Sequence, residues 1–195
     1  MNESEIIKNI LEGNRNAYQI LVERYQTMVF HTCLGFVHNK EDADDLTQEV
    51  FIQAYLSLKT FKGEASFSTW LYRIAINASL NKVRRSSRYN FLQRFDILFG
   101  SGKESDTIHP DMDSDDPEKI LLRNEQREWV QKALNSLPEK QRSALVLSKY
   151  EDLPQKEIAE IMNTTEGAVE ALLQRAKSNL REKLLVSYKN DRRKK

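Results

Sequence analysis

The sequence predicts an all-α protein: two small helical domains joined by a flexible acidic linker, with a helix-turn-helix in the C-terminal domain. Its 195 residues include only 6 Gly and 4 Pro, and residues that favour helix are abundant. Apolar residues recur at helical spacing through residues 1–90 and again from residue 118. Between these stretches, residues 91–117 carry seven acidic and two basic side chains, a composition typical of a flexible linker.

Residues 1–90 divide into four helical segments. The first ends near Gly13, the second is interrupted at residues 38–40, and the fourth follows a loop that contains Gly63. The positions that define the first three helices are Ile6, Ile7, Ile10, Leu11, Tyr18, Leu21, Val22, Tyr25, Met28, Val29, Ala43, Leu46, Val50 and Ala54.

The fourth helix has two apolar faces separated by polar residues. Leu71, Ile74, Ala75 and Ala78 form one face, and Tyr72, Ile76, Leu80 and Val83 form the other. Between them lies a row that we call the basic stripe: Trp70, Arg73, Asn77, Asn81, Arg84 and Arg88. Arginines bind phosphates, amides read base edges, and aromatic rings stack on unpaired bases. The stripe therefore suits a nucleic-acid surface, although an amphipathic helix with a solvated basic face gives the same pattern.

The helical pattern of the second domain begins at Glu118 and extends to residue 188, followed by a basic tail at 189–195. Pro138 and Pro154 each begin a further helix. The residues expected to face inward before Pro138 are Ile120, Leu121, Leu122, Trp129, Val130, Ala133, Leu134 and Leu137.

Residues 154–184 have the spacing of a DNA-binding helix-turn-helix. Ala159 is small where two helices cross, Asn163 occupies the turn, and Thr165 is a candidate N-cap. Val169 anchors the second helix. An ordinary helical hairpin is the alternative. The outward positions, which could read base edges, are Glu166, Gly167, Glu170, Ala171, Gln174, Arg175, Lys177 and Ser178.

Composition argues against several other classes of protein. The net charge is +1, but residues 175–195 hold nine basic and two acidic side chains, and such local clusters direct a protein to a polyanion. Cys33 is the single cysteine and lies among apolar residues, so a buried, inert thiol is expected. The three histidines show no metal-ligand spacing. No metal, cofactor or small-molecule substrate is expected, and with no signal peptide or apolar run of about 20 residues the expected location is cytoplasmic.

Three stretches together resemble the bacterial RNA polymerase sigma factors of the extracytoplasmic-function (ECF) type. They are residues 42–55, residues 61–77 and residues 137–184, and the resemblance covers roughly residues 10–188. The resemblance implies a docking helix for core RNA polymerase, a reader of the promoter −10 element and a reader of the −35 element. Core polymerase and promoter DNA are the implied partners. An anti-sigma factor is a further partner of the kind this family commonly has.

The resemblance also implies roles for individual residues. The polymerase-binding residues are Asp45, Gln48, Glu49 and Ile52. The −10 residues are Phe61, Lys62, Ser66, Phe67, Trp70, Arg73, Asn77, Asn81, Arg84, Arg85 and Arg88, with Asn77 lining a pocket for a flipped base. The −35 residues are Thr165, Glu166, Gly167, Glu170, Ala171, Gln174, Arg175 and Lys177.

Two other classes of function compete with a sigma factor. A stand-alone helix-turn-helix regulator explains residues 118–195 but leaves the basic stripe and the docking helix without a role. A nucleic-acid enzyme would need a two-metal carboxylate cluster, a catalytic triad or a phosphate-binding loop. The closest candidates are Asp42, Asp44 and Asp45, and these are more simply explained as partners of a helix N-terminus. The protein is therefore not expected to be an enzyme.

Overall fold

A computed structural model describes residues 2–99 and 129–192 of the chain, with side chains at 2–86 and 129–186. Every regular element in these ranges is helical, as the sequence predicts. Within the same ranges, none of the helices combines the length and the apolar character needed to span a bilayer. The elements are α1 (Glu3–Leu11), α2 (Ala17–Val37), α3 (Lys40–Ser57), a 3₁₀ turn (Leu58–Thr60), α4 (Phe67–Phe99), α5 (129–135), α6 (Glu139–Lys149), α7 (Gln155–Ile161) and α8 (Glu166–Arg192).

The helix boundaries are set by N-cap residues, by prolines and by residues whose backbone adopts the left-handed conformation. His38 ends α2 in the left-handed region at φ 57°, and its N–H donates to the Leu34 carbonyl. Asn39 then caps α3, because its Oδ1 accepts from the Asp42 N–H at 2.9 Å. Pro138 and Pro154 are the N-cap residues of α6 and α7, where a missing N–H costs nothing. The break at residues 38–40 and both proline starts are confirmed.

The first core joins α1, α2, α3 and the start of α4. Phe67 and Leu71 come from α4, and both are fully buried against the other three helices. Cys33 is also buried, as predicted, and burial raises the pKa of its thiol to about 11. The other buried members are Ile6, Ile7, Ile10, Ala17, Leu21, Val29, Ala43, Leu46, Val50, Phe51, Ala54, Leu58, Ala75 and Ala78.

The second core is shared between the two halves of the chain. Phe36 of α2 and Tyr72 and Ile76 of α4 pack with the helices after residue 136. The two apolar faces predicted for α4 thus have different partners: the Leu71 face lies in the first core and the Tyr72 face in the second. The members from the second half are Leu137, Ala144, Leu145, Val146, Leu147, Ile158, Ala159, Ile161, Val169, Leu173 and Ala176.

Helices α2 and α6 are in close contact at Gly35. A Cβ atom placed on this buried glycine would lie 2.7 Å from Cγ1 of Val146 and 3.1 Å from Cγ of Tyr150. That distance to Val146 is shorter than side-chain carbons tolerate, so only glycine allows the two helices to meet at this separation.

Two expectations are corrected. Helix α4 continues to Phe99, so the predicted domain boundary at residue 90 falls inside a helix. Residues 67–99 contain neither Gly nor Pro, and Gly100 is the first residue that favours ending a helix. The rest of the predicted linker, and Ile120, Leu121 and Leu122, lie outside the described residues. Val130 is 44% exposed rather than inward, because Ala133 and Leu137 turn a different side of the segment toward the core.

Candidate nucleic-acid interface

The predicted docking residues form one exposed row on α3, which we call the docking face. Asp45, Gln48 and Glu49 are exposed, and Ile52, one turn further on, is 61% exposed. Their spacing of three and four residues places them on the same side of the helix, opposite the buried residues Ala43, Leu46, Val50 and Ala54. Leu56 continues the row at 75% exposure. Sequence reasoning missed Leu56, although its spacing of four residues from Ile52 could have revealed it.

A cluster of aromatic rings supports the loop before α4. The Phe67 ring lies 5.5–5.6 Å from the rings of Tyr25, Phe61 and Trp70, measured between centroids. Ser66 precedes the helix, and its Oγ accepts from the Thr69 N–H at 3.1 Å, as an N-cap does. The aromatic cluster therefore fixes the start of the loop at Phe61, and the Ser66 cap fixes its end.

Phe67 needs a correction within the set of −10 residues. Its ring is only 1% exposed and belongs to the first core, so it supports the loop and has no surface to offer a base. Phe61 and Trp70 are half-buried at its edge, whereas Lys62 and Ser66 are exposed. Four of the five loop and stripe-edge residues named from the sequence therefore retain accessible surface.

The basic stripe follows one side of α4. Asn77, Asn81 and Arg84 are exposed, and Arg73 is half-buried; Arg85, next to the stripe, is also exposed. The side chain of Arg88 lies outside the described residues. Asn77 and Arg73 line a cleft of about 860 Å³ whose opposite wall is formed by α7 and the turn after it. The basic stripe thus faces the helix-turn-helix rather than open solvent along part of its length.

Two arginines of the basic stripe bind the second half of the chain. Arg73 donates from Nε to the Ile161 carbonyl at 3.0 Å and from Nη2 to the Glu160 carbonyl at 2.8 Å. These carbonyls lie at the C-terminus of α7, where the helix dipole attracts a cation. Arg84 pairs with Glu139 of α6 through two parallel hydrogen bonds of 2.5 and 2.6 Å. This pairing lowers the pKa of Glu139.

A half-buried carboxylate lies between the two halves. Glu151, in the turn after α6, accepts from Thr32 Oγ1 at 3.2 Å and from Tyr72 Oη at 3.1 Å. Burial raises the pKa of Glu151, and the two hydrogen bonds oppose that rise. Sequence reasoning missed Glu139 and Glu151, because each contacts a residue at least 55 positions away and neither belongs to a recognisable motif.

The helix-turn-helix forms as predicted. Asn163 occupies the turn in the left-handed region at φ 50°, where Asn is tolerated. Thr165 caps α8, because its Oγ1 accepts from the Ala168 N–H at 3.2 Å. Ala159 and Val169 are buried where α7 crosses α8. The outward side of α8 is open: Thr165, Glu166, Gly167, Glu170, Gln174, Arg175 and Lys177 are exposed, and Ala171 is half-buried.

No group of three or more His, Cys, Asp or Glu side chains in the described ranges is arranged to hold a metal ion. The geometry thus presents three surfaces: an acidic and apolar docking face on α3, a basic and aromatic stripe on α4, and an exposed recognition helix, α8. This combination of surfaces on a helical fold with a helix-turn-helix is typical of DNA-binding proteins.

Comparisons with known proteins agree with this class. The sequence profile of Sigma-70 region 2 matches residues 21–89, and that of Sigma-70, region 4 matches residues 127–180. The RNA polymerase sigma-H factor of Pseudomonas aeruginosa is 33% identical over 175 residues, covering 90% of each chain. The ECF RNA polymerase sigma factor SigW of Bacillus subtilis is 31% identical over 180 residues, covering 91% of this chain and 94% of SigW. The chain belongs to the family of ECF RNA polymerase sigma factors.

Solved structures share the fold. CnrH, in complex with the cytosolic domain of CnrY, superposes with a TM-score of 0.58 over 93% of this chain and 96% of CnrH, at 23% identity. The sigma factor RpoE of Bartonella quintana, in complex with the anti-sigma factor NepR, gives a TM-score of 0.54 over 87% of this chain and 97% of RpoE, at 21% identity.

Proposed function

We propose that the protein is a dissociable sigma subunit that binds core RNA polymerase, recognises the promoter and promotes opening of its −10 region. The observation that carries the proposal is the presence, in one chain, of three exposed surfaces: the docking face on α3, the basic stripe on α4 and the outward side of α8. Polymerase supplies the chemistry of RNA synthesis, so the role of this chain is binding and not catalysis. Because polymerase and promoter are cytoplasmic in bacteria, the proposed role places the chain in the cytoplasm.

We assign the docking face to a basic surface of the polymerase. Asp45 and Glu49 supply negative charge, and the neighbouring exposed Ile52 supplies apolar area. Complementary charge guides association and fixes the register, while buried apolar contacts hold the complex. A stand-alone helix-turn-helix regulator would have no use for this face.

We assign the basic stripe and the loop before it to the −10 element. Opening a duplex costs a few kcal/mol for each unstacked base, and stacking an extruded base on an aromatic side chain offsets that cost. Trp70 and Phe61 are half-buried beside the loop, and Asn77 is an exposed amide about two turns after Trp70 on the same helix. Arg84 and Arg85 are positioned to bind the strand's phosphates.

We assign α8 to the −35 element. Gln174 and Arg175 are exposed in the N-terminal half of α8, the part of a recognition helix that reads base edges. An anti-sigma protein is a further proposed partner, because the structurally similar RpoE of Bartonella quintana forms a complex with the anti-sigma factor NepR.

Run-off transcription tests the proposed function. The purified chain is added to core polymerase on a promoter library, and transcripts that depend on the chain are expected. The double variant Gln48→Ala with Glu49→Lys should lose both transcription and retention of the chain on immobilised core polymerase. Glu23→Lys makes the same charge change at an exposed position of α2 and should leave both intact. Promoter binding by the chain without polymerase, at unchanged affinity, would support the stand-alone regulator instead.

A further inference from the structure

The outward side of α8 carries a hydrogen-bonded pair of side chains, Glu170 and Gln174, one helical turn apart. Gln174 Nε2 donates to Glu170 Oε1 at 3.3 Å, and both side chains are exposed. The preceding residues Val169 and Leu173 are buried, so the packing of α8 fixes the rotation that turns the pair toward solvent. A Cβ added to Gly167, one turn before Glu170, would meet no atom within 4 Å. The pair is therefore open to a partner that approaches α8 from outside.

The hydrogen bond determines which way the Gln174 amide points. An ionised carboxylate accepts hydrogen bonds and donates none, so Gln174 must turn its NH₂ group toward Glu170. One N–H of the amide is used in this way, while the other N–H and Oε1 stay available. A donor beside an acceptor matches adenine, whose major-groove edge presents N7 as acceptor and N6 as donor. Guanine presents two acceptors there, so the oriented amide fits it poorly.

The separation of the two head groups suits neighbouring base pairs. Nε2 of Gln174 and Oε1 of Glu170 are 3.3 Å apart, close to the rise of about 3.4 Å between successive bases of a DNA strand. When Gln174 reads one base pair, Glu170 therefore reaches the next. Oε2 of Glu170 is not used by Gln174 and can accept from N4 of cytosine, whereas the two acceptors of guanine repel it.

The charge of Glu170 has a cost at a DNA surface. A carboxylate repels phosphates and so lowers affinity for every DNA sequence. No lysine or arginine in the described ranges forms an ion pair with Glu170, so the charge is not neutralised within that part of the chain. Arg175 and Lys177 are exposed nearby and supply attraction for DNA. A group that weakens all binding but excludes particular bases contributes to specificity.

We propose that Glu170 is a positioning and specificity-determining residue for the −35 element. It holds the Gln174 amide in the orientation that reads adenine, and it accepts directly from cytosine at the adjacent base pair. The proposal rests on the assignment of α8 to −35 DNA. An adenine at one base pair and a cytosine at its neighbour are therefore features of the −35 element that this chain prefers.

Four variants test the proposal. Gln174→Ala identifies the base pair that Gln174 reads. Glu170→Gln keeps the length of the side chain, but its amide donates as well as accepts, so it no longer fixes the orientation of Gln174. Glu170→Asp keeps an acceptor-only carboxylate within reach of Gln174, whose side chain leans toward the preceding turn. Glu182→Gln makes the same charge change at an exposed position further along α8 and is the matched control.

The measurement is holoenzyme binding to double-stranded −35 variants of a promoter mapped by run-off transcription. At the base pair identified by Gln174→Ala, the wild type should prefer adenine to guanine about ten-fold. Glu170→Gln should reduce this preference below about three-fold and change the preferred base at the adjacent pair from cytosine to adenine. Glu170→Asp should keep the adenine preference and weaken the cytosine preference. Glu182→Gln should change affinity for all sequences alike.

These base preferences separate positioning from a structural role, because a residue that only stabilises α8 would alter the thermal melt and leave the preferences unchanged. Wild-type preferences retained in Glu170→Gln would therefore overturn the proposal. The double variant Glu170→Gln with Gln174→Ala gives a second check. If Glu170→Gln still alters the preference at the Gln174 base pair when Gln174 is absent, Glu170 does not act through Gln174 and the proposal is wrong.

Chain-dependent run-off transcription by the wild type scores the proposed function separately. If transcription succeeds while the Glu170 variants keep the wild-type preferences, the role of Glu170 is refuted and the proposed function stands. If no chain-dependent transcript appears, the proposed function fails first.

Discussion

Phe67 offers a sharp test of whether the start of α4 is a DNA contact or a support. The ring is 1% exposed and contacts three other aromatic rings at centroid distances of 5.5, 5.6 and 5.5 Å. Truncation of a buried Phe to Ala costs about 3–5 kcal/mol through lost burial and the cavity left behind. For a chain of this size each kcal/mol shifts the melting temperature by about 2–4 °C. Phe67→Ala should therefore lower the melting temperature by roughly 6–20 °C.

The variant Phe67→Leu distinguishes a ring that supports the fold from a ring that contacts DNA. Leucine keeps most of the apolar volume but loses the ring contacts, so its cost should be about 1.5 kcal/mol. At a temperature well below its melt, Phe67→Leu should still open the promoter, as detected by permanganate reactivity of unpaired −10 thymines. Lys62→Ala, at an exposed loop position, is the control for thermal stability and should melt as the wild type does. If Phe67→Leu melts like the wild type yet fails to open the promoter, the assignment of Phe67 to a supporting role is wrong.

Three further outcomes are expected. Thr165→Ala removes the N-cap of α8 and should lower the free energy of unfolding by about 1 kcal/mol, measured in a thermal melt. Thr165→Ser keeps a capping hydroxyl and should retain most of that stability. Arg175→Ala should change which −35 sequence the holoenzyme prefers, by about 1–3 kcal/mol of binding free energy at one base pair. Arg181→Ala should weaken binding to all −35 sequences alike and reduce its salt dependence. If both variants lose affinity equally on every sequence, α8 does not read bases. Burial raises the pKa of Glu151 above its ordinary value, so the packing of the two halves should lose stability as pH rises through that raised pKa. Melts between about pH 4 and pH 7 should show the wild type gaining stability relative to Glu151→Gln as the pH falls.

Local signals made much of the fold predictable. Asn163 and Thr165 mark the helix-turn-helix because a left-handed turn and an N-cap each require particular residue types. The break at His38 was visible for the same reason. The role of Asp45 and Glu49 was implied by the resemblance to ECF sigma factors, and their spacing relative to the buried residues of α3 predicts only that they lie on its exposed side. Each of these inferences depends on neighbours within one helical turn.

The contact between the two halves could not be predicted in this way. Gly35 appears in the sequence as an unexplained glycine within a helix, and its meaning depends on Val146, more than a hundred residues away. Phe67 and Val130 show that the periodicity of apolar residues also has a limit as a predictor of burial. The pattern identifies an apolar side of a helix, but it does not say which residues at the margin of that side another element will cover.

The ion pair between Asp42 of α3 and Lys82 of α4, with Oδ1 and Nζ 2.7 Å apart, joins the docking helix directly to the helix that carries the basic stripe. The first core joins the same two helices from behind. The docking face and the basic stripe are thus held at a fixed separation by the packing of α3 against α4. Under the proposed assignment of α3 to polymerase and of α4 to the −10 element, this fixed separation would hold the −10 element at a set distance from the bound polymerase.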